Sequence, residues 1–135
     1  MLLYEPLSTD KILNKRSLEL AYIGDAVIEL LVREHLLITV NSKKVSLHRQ
    51  ALEFVSATAQ SCALENILQE LLPDELSVYK RGRNTKSFTV PKNTAVTDYR
   101  RATGIEALFG YLFLAKRNDR IKYLFKKMYN IEDEK

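Results

Sequence analysis

Two carboxylates in this chain stand where a carboxylate is costly. Asp25 lies in Leu20-Ala21-Tyr22-Ile23-Gly24-Asp25-Ala26-Val27-Ile28-Glu29-Leu30-Leu31, and Glu106 in Ala102-Thr103-Gly104-Ile105-Glu106-Ala107-Leu108-Phe109-Gly110-Tyr111-Leu112-Phe113. Both runs are strongly apolar with glycine close to the acid. A carboxylate on an apolar helix face loses hydration unless it meets a cation, a donor or its own proton. A divalent ion shared between the two explains both placements. Carboxylate and water oxygens suit Mg²⁺, which proteins commonly hold with only one or two carboxylates plus substrate phosphate oxygens.

Neighbouring residues sharpen that reading. Asp25, Glu29 and Arg33 are spaced four apart on one helix face, and for Glu29 a surface ion-pair ladder is the favoured reading, each such pair contributing only about 0.3–0.5 kcal/mol. Gly24 costs a helix roughly 1 kcal/mol relative to alanine, so its place beside Asp25 implies that another helix or a phosphate approaches closely there. Asp98 and Glu19 are further acids that could act through water, with solvated surface roles favoured for each. Only His35 and His48 are present, both in polar helix ends, and the single Cys62 is expected to be buried packing in the run Ala57–Leu64. Neither supplies zinc-like spacing, and no serine–histidine motif is apparent.

The positioning elements read as helices. Leu20, Ile23, Val27, Leu30 and Leu31 recur at spacings of three and four, predicting a helix from about Ser17 to Leu37. Ser46 caps a helix through Leu47, Ala51, Leu52 and Val55, and Ser56 caps another whose pattern runs through Ala59, Ala63, Leu64, Ile67, Leu68 and Leu71 until Pro73. Pro73 fits the first turn of a helix carrying Leu76, Val78 and Tyr79 into a basic segment. Lys86–Asn93 reads as an exposed loop, with Pro91 disfavouring helix at Val90. Ala102, Ile105, Leu108, Phe109, Leu112 and Phe113 mark the next helix, and Ile121, Leu124, Phe125 and Met128 the last, before an acidic tail Glu132-Asp133-Glu134. The fold class is all-α: a single compact helical domain over 1–135 with six or seven helices. Two carboxylates at helix centres so far apart in sequence converge only through tertiary packing.

Composition agrees with a globular chain. Its 135 residues are 46% hydrophobic and 28% charged, enough to bury a core. No apolar run approaches the roughly 18 residues of a membrane span, and Met1–Pro6 lacks the basic start and apolar stretch of a secretory signal, so the expected compartment is the cytoplasm, with no membrane partner. The net charge of +4 is unevenly spread: Lys80, Arg81, Arg83, Lys86, Lys92, Arg100 and Arg101 face the lone anion Asp98, while the remainder holds 14 cations and 16 anions. A patch of this kind is either a polyanion-binding surface or a solvated basic loop. Acids, a hard metal ion and a basic patch together point to phosphodiester hydrolysis.

At these residues a resemblance emerges. Leu20–Glu29 resembles the signature helix of the ribonuclease III catalytic domain, and Glu106–Leu112 resembles that family's second acidic helix. Lys80-Arg81-Gly82-Arg83-Asn84-Thr85-Lys86-Ser87, followed by Val90-Pro91-Lys92-Asn93-Thr94, looks like the Mini-ribonuclease III branch, which has a bare catalytic domain; too little chain follows Met128 for an appended double-stranded RNA-binding domain. The resemblance covers nearly the whole chain.

It implies a homodimeric endonuclease of the ribonuclease III catalytic type that hydrolyses double-stranded RNA with Mg²⁺, Mn²⁺ being a substitute ion, and matures precursor large-subunit (23S) ribosomal RNA, with a ribosomal protein as a candidate helper. Asp25 and Glu106 match the family's metal-binding catalytic acids. Two other family acids are replaced, by Ala21 and Thr103, which leaves fewer protein ligands. Lys80, Arg81, Arg83, Asn84, Lys86, Lys92, Asn93, Arg100 and Arg101 are the expected RNA contacts, made to backbone shape and 2′-hydroxyls because duplex RNA hides its base edges. For the dimer, Leu20, Ile23, Ile28, Leu30, Leu31 and Leu36 occupy more than one face of the first long helix, although a helix buried within one subunit has the same pattern. The alternative function is a non-catalytic RNA-binding or ribosome-assembly protein on the same fold.

Overall fold

A computed structural model describes residues 3–41, 43–86 and 89–132. Among them seven α-helices occur and no strand: α1 (Thr9–Leu13), α2 (Ser17–Thr39), α3 (Leu47–Val55), α4 (Ala57–Leu64), α5 (Pro73–Arg83), α6 (Val96–Leu114) and α7 (Asn118–Met128), with one 3₁₀ turn at Leu68–Glu70. The expected all-α class is observed. Ser87, Phe88, Asp133 and Glu134, which the sequence places in the basic loop and the acidic tail, lie outside the described residues.

Local chemistry sets the helix starts. Ser46 Oγ accepts from Arg49 N at 3.3 Å and Ser56 Oγ from Ala59 N at 3.2 Å, each satisfying one amide of a first turn that has no carbonyl partner. Pro73 opens α5, where it removes an amide that would be unbonded anyway, and Glu75 reaches back to Leu72 N at 2.9 Å. Ser8 caps the short α1, a helix not anticipated from the sequence because five residues carry too little periodicity to register.

Two expectations are corrected. The helix begun at Ser56 ends at Leu64 and does not continue to Pro73. The next amides, Glu65, Asn66 and Ile67, bond three residues back to Cys62, Ala63 and Leu64 at 3.2, 3.0 and 3.0 Å. That tighter winding keeps apolar spacing of three on one side, so Ile67 is still buried, while Asn66 Nδ2 donates to Met128 O at 2.9 Å and ties the turn to the end of α7. Cys62 is exposed, not packed. On α4 the residues that turn inward are Gln60, Ser61, Ala63 and Leu64, so local hydrophobicity misreads which face is covered.

The core is organised around α6. From Ala102 to Leu112 every residue is buried except Glu106, so this helix is covered nearly all round, as a central helix must be. It packs against α2, α4, α5 and α7. Its contact with α2 is made backbone on backbone. A Cβ placed on Gly24 would sit 1.7 Å from Glu106 O, and one on Gly110 would sit 2.0 Å from Leu20 O. Gly82 of α5 meets α6 less severely, its hypothetical Cβ lying 2.9 Å from Ala107 Cβ and 3.0 Å from Gly104 Cα. Both Gly24→Ala and Gly110→Ala therefore destabilise the fold by about 1–3 kcal/mol or more despite gaining roughly 1 kcal/mol of helix propensity, and Gly82→Ala by less. Urea denaturation of the three variants checks that ranking.

Candidate functional site

Gly24 brings the backbone of α2 onto the carbonyl of Glu106, and Asp25 follows it at the rim of the crossing. A step of about 100° around the helix carries Asp25 from the contact to the surface, so its residue is exposed rather than buried among Ile23, Ala26 and Val27 as the sequence suggests. Glu106 is the partly buried member. Its carboxyl is held in place by the helix that Gly24 touches.

The two side chains meet. Glu106 has its pKa pushed up to about 8, first by burial, then by the negative charge of Asp25, then by a hydrogen bond with that carboxyl. A carboxyl that keeps its proton near neutral pH because it is buried and another carboxyl lies against it is a site short of positive charge. A hard divalent cation supplies that charge, and the all-oxygen donor set fits Mg²⁺ better than zinc. Among the described residues no set of three His, Cys, Asp or Glu groups could hold a metal. The pair therefore offers a partial coordination shell.

The other acids lie apart. Glu29 accepts from Arg33 Nη2 at 3.4 Å, the surface ladder the spacing suggests. Glu19 caps α2, accepting from Arg16 N at 2.9 Å, and Asp98 sits in the first turn of α6.

Gly82 packs against Gly104 and Ala107 of α6, which sets the basic end of α5 at the level of Glu106 along that helix. The cations of this segment divide into two groups. Lys80, Lys86, Lys92 and Arg100 are exposed, as are Asn84 and Asn93, the latter with φ 66° in the tight turn after Pro91. Arg81 is exposed too, but its guanidinium is engaged within the chain: Nε donates to Ser17 Oγ at 3.0 Å, Nη1 to Leu13 O at 3.0 Å and Nη2 to Lys15 O at 2.9 Å, strapping α5 to the corner between α1 and α2. Arg101 pairs with Glu65 of the turn after α4. Arg83 bonds Asn84 Oδ1 at 3.1 Å and lies 5.7 Å over the Tyr79 ring. The partners of Arg81 and Arg101 are remote in sequence, so charge counting could not find them.

Comparison with known proteins places the chain in a family. The ribonuclease III domain family matches residues 18–117, a span that begins in α2 and ends after α6. The Mini-ribonuclease 3 of Staphylococcus aureus is 40% identical over 127 residues, covering 93% of each chain. That of Enterococcus faecalis is 47% identical over 109 residues, 79% of this chain and 83% of the relative. A crystal structure of a Fusobacterium nucleatum protein superposes with a TM-score of 0.76 at 30% identity, covering 87% of this chain and 93% of that one. With a domain match across most of its length and relatives of this identity over nearly whole chains, the protein belongs to the ribonuclease III family of endoribonucleases, in its Mini-ribonuclease III branch.

Proposed function

We propose that the chain is a Mg²⁺-dependent endoribonuclease that cleaves double-stranded RNA, with precursor 23S ribosomal RNA as substrate, and that Asp25 and Glu106 are its catalytic and metal-holding acids. The observation that carries this reading is the convergence of those two carboxyls at the glycine crossing of α2 and α6. Asp25 and Glu106 would hold a divalent ion, Mg²⁺ or in its place Mn²⁺, which would supply acidification of a water, neutralisation of charge gathering on the phosphoryl group and help for the departing 3′-oxygen. Glu106 would have to release its proton to solvent to serve as a ligand. Asp25, at the exposed rim, is the acid nearest an approaching backbone.

Grip on the duplex falls to the basic segment. Lys80, Lys86, Lys92 and Arg100 stand ready for phosphates, with Asn84 and Asn93 available to sugar hydroxyls. Arg83 contributes from beside Tyr79. Arg81 and Arg101 support the surface mainly by holding α5 and α6 in place.

A homodimer suits the uncovered face of α2. The residues named from the sequence divide: Leu20, Ile28 and Leu36 belong to the subunit's own core, Ile23 and Leu31 are half-buried, and Leu30 is exposed. Exposed Leu18, Tyr22, Ala26, Leu30 and Leu37 form a stripe at helical spacing, with Tyr22 85% exposed directly beside the Gly24–Asp25 step. An apolar stripe of this length favours burial against a second copy. No helix among the described residues is long and apolar enough to cross a membrane.

Three outcomes follow. Asp25→Asn and Glu106→Gln each lower cleavage of a precursor-rRNA duplex by at least about a hundredfold, the scale of removing one electrostatic stabiliser of a reacting group, while gel-shift affinity for the duplex stays within severalfold. Wild-type activity in either variant removes that residue from the reaction. Because the Glu106 pKa is raised, its contribution to stability is full below the ordinary carboxylate range and is lost as pH rises through about 8. Melting of the metal-free protein from pH 5 to 9 should fall with pH, and Glu106→Gln should flatten that trend. RNA affinity drops steeply with salt, and replacing Lys80, Lys86 or Arg100 by alanine lowers the log–log slope by about one for each phosphate no longer neutralised.

A further inference from the structure

Resting on the reading of Asp25 and Glu106 as the cation site, we infer that these two acids are all the side-chain ligands provided there among the described residues, so that the ion is held tightly only together with the RNA.

The positions from which a third acid could join them lie one turn before each, on the same helix faces, and they hold Ala21 and Thr103. Ala21 has no donor atom and is only 8% exposed. Thr103 is 7% exposed, and its hydroxyl donates to Tyr99 O at 3.0 Å within its own helix. One turn beyond Asp25, Glu29 is engaged by Arg33 at 3.4 Å. His35 and His48 lie on the later turns of α2 and the first turn of α3, and no group of three candidate ligands exists among the described residues.

A small divalent ion demands about six oxygens in near-octahedral order. Two carboxylates leave most of that shell to water and to oxygens of the bound phosphodiester. Ion and RNA therefore bind with positive coupling, each tightening the other by the same factor.

Mn²⁺ uptake, read from loss of its free-ion paramagnetic resonance signal, tests this without reference to turnover. The samples are the chain alone, the chain with RNA duplex already digested to its limit, and Thr103→Asp and Ala21→Glu variants whose helicity has been verified by circular dichroism. Weak uptake by the chain alone, tightened about tenfold or more by the duplex fragments, is the expected result, with either variant tightening uptake about tenfold in the absence of RNA. The native-chain comparison stands even if both variants misfold. Uptake equally tight with and without duplex, or two tight ions on the chain alone, overturns the inference. Asp25→Asn separates the two levels: if it takes up Mn²⁺ as the parent does in the presence of duplex, the site assignment itself falls, and the inference with it.

Discussion

Where α2 crosses α6, two peptide backbones lie in contact without any side chain between them. Gly24 faces the carbonyl of Glu106, and Gly110 faces the carbonyl of Leu20, at separations that even a methyl group would violate. Each glycine weakens its own helix, and both sit in segments that otherwise favour helix strongly. The loss is offset by close packing along the two longest helices, which carry most of the buried aliphatic side chains. Because the contact is rigid and short, it fixes the register of one helix against the other. That register is what sets Asp25 beside Glu106.

Bringing two carboxyls together opposes stability. Burial and like charge make full ionisation of the pair unfavourable, so the free protein carries a proton there at neutral pH. A site that would be a defect in a purely structural protein is, on the function proposed above, a receptor for a cation. The rest of the domain absorbs the cost through well-satisfied polar groups elsewhere. Glu75, fully buried, receives Arg120 through both carboxylate oxygens at 2.6 and 2.8 Å. Asp74 receives Tyr111 at 2.7 Å and Arg117 at 2.6 Å, joining the start of α5 to the end of α6 and the start of α7. Polar bonding of this kind locks α5 against the helix that carries Glu106, and Arg81 locks its other end.

The basic surface illustrates how charge and geometry differ. Seven cations in one segment suggest one binding face. Their roles separate in three dimensions because guanidinium groups have several donors in a fixed fork, and Arg81 and Arg101 find carbonyl, hydroxyl and carboxylate partners in the earlier helices and the turns beside them. The lysines, each a single hydrated charge on a flexible stem, remain outside. The same segment thus both builds the scaffold and leaves exposed positive charge at the surface.

Periodicity and capping chemistry alone determined most of the helices, since spacings of three and four and residues such as Ser46, Ser56 and Pro73 act over a few neighbouring positions. Gly24 was legible as a point of close approach, because a glycine in an apolar helix needs a reason. What came near it was not. That Cys62 faces outward while Gln60 and Ser61 turn in, that the helix from Ser56 stops at Leu64, and that Asp25 stands at the rim with Glu106 beneath it all depend on which distant segment covers each face. The order of residues fixes each helix's apolar stripe through local geometry; the partner across that stripe, and hence the meeting of two acids some eighty positions apart, is chosen only when the whole chain packs.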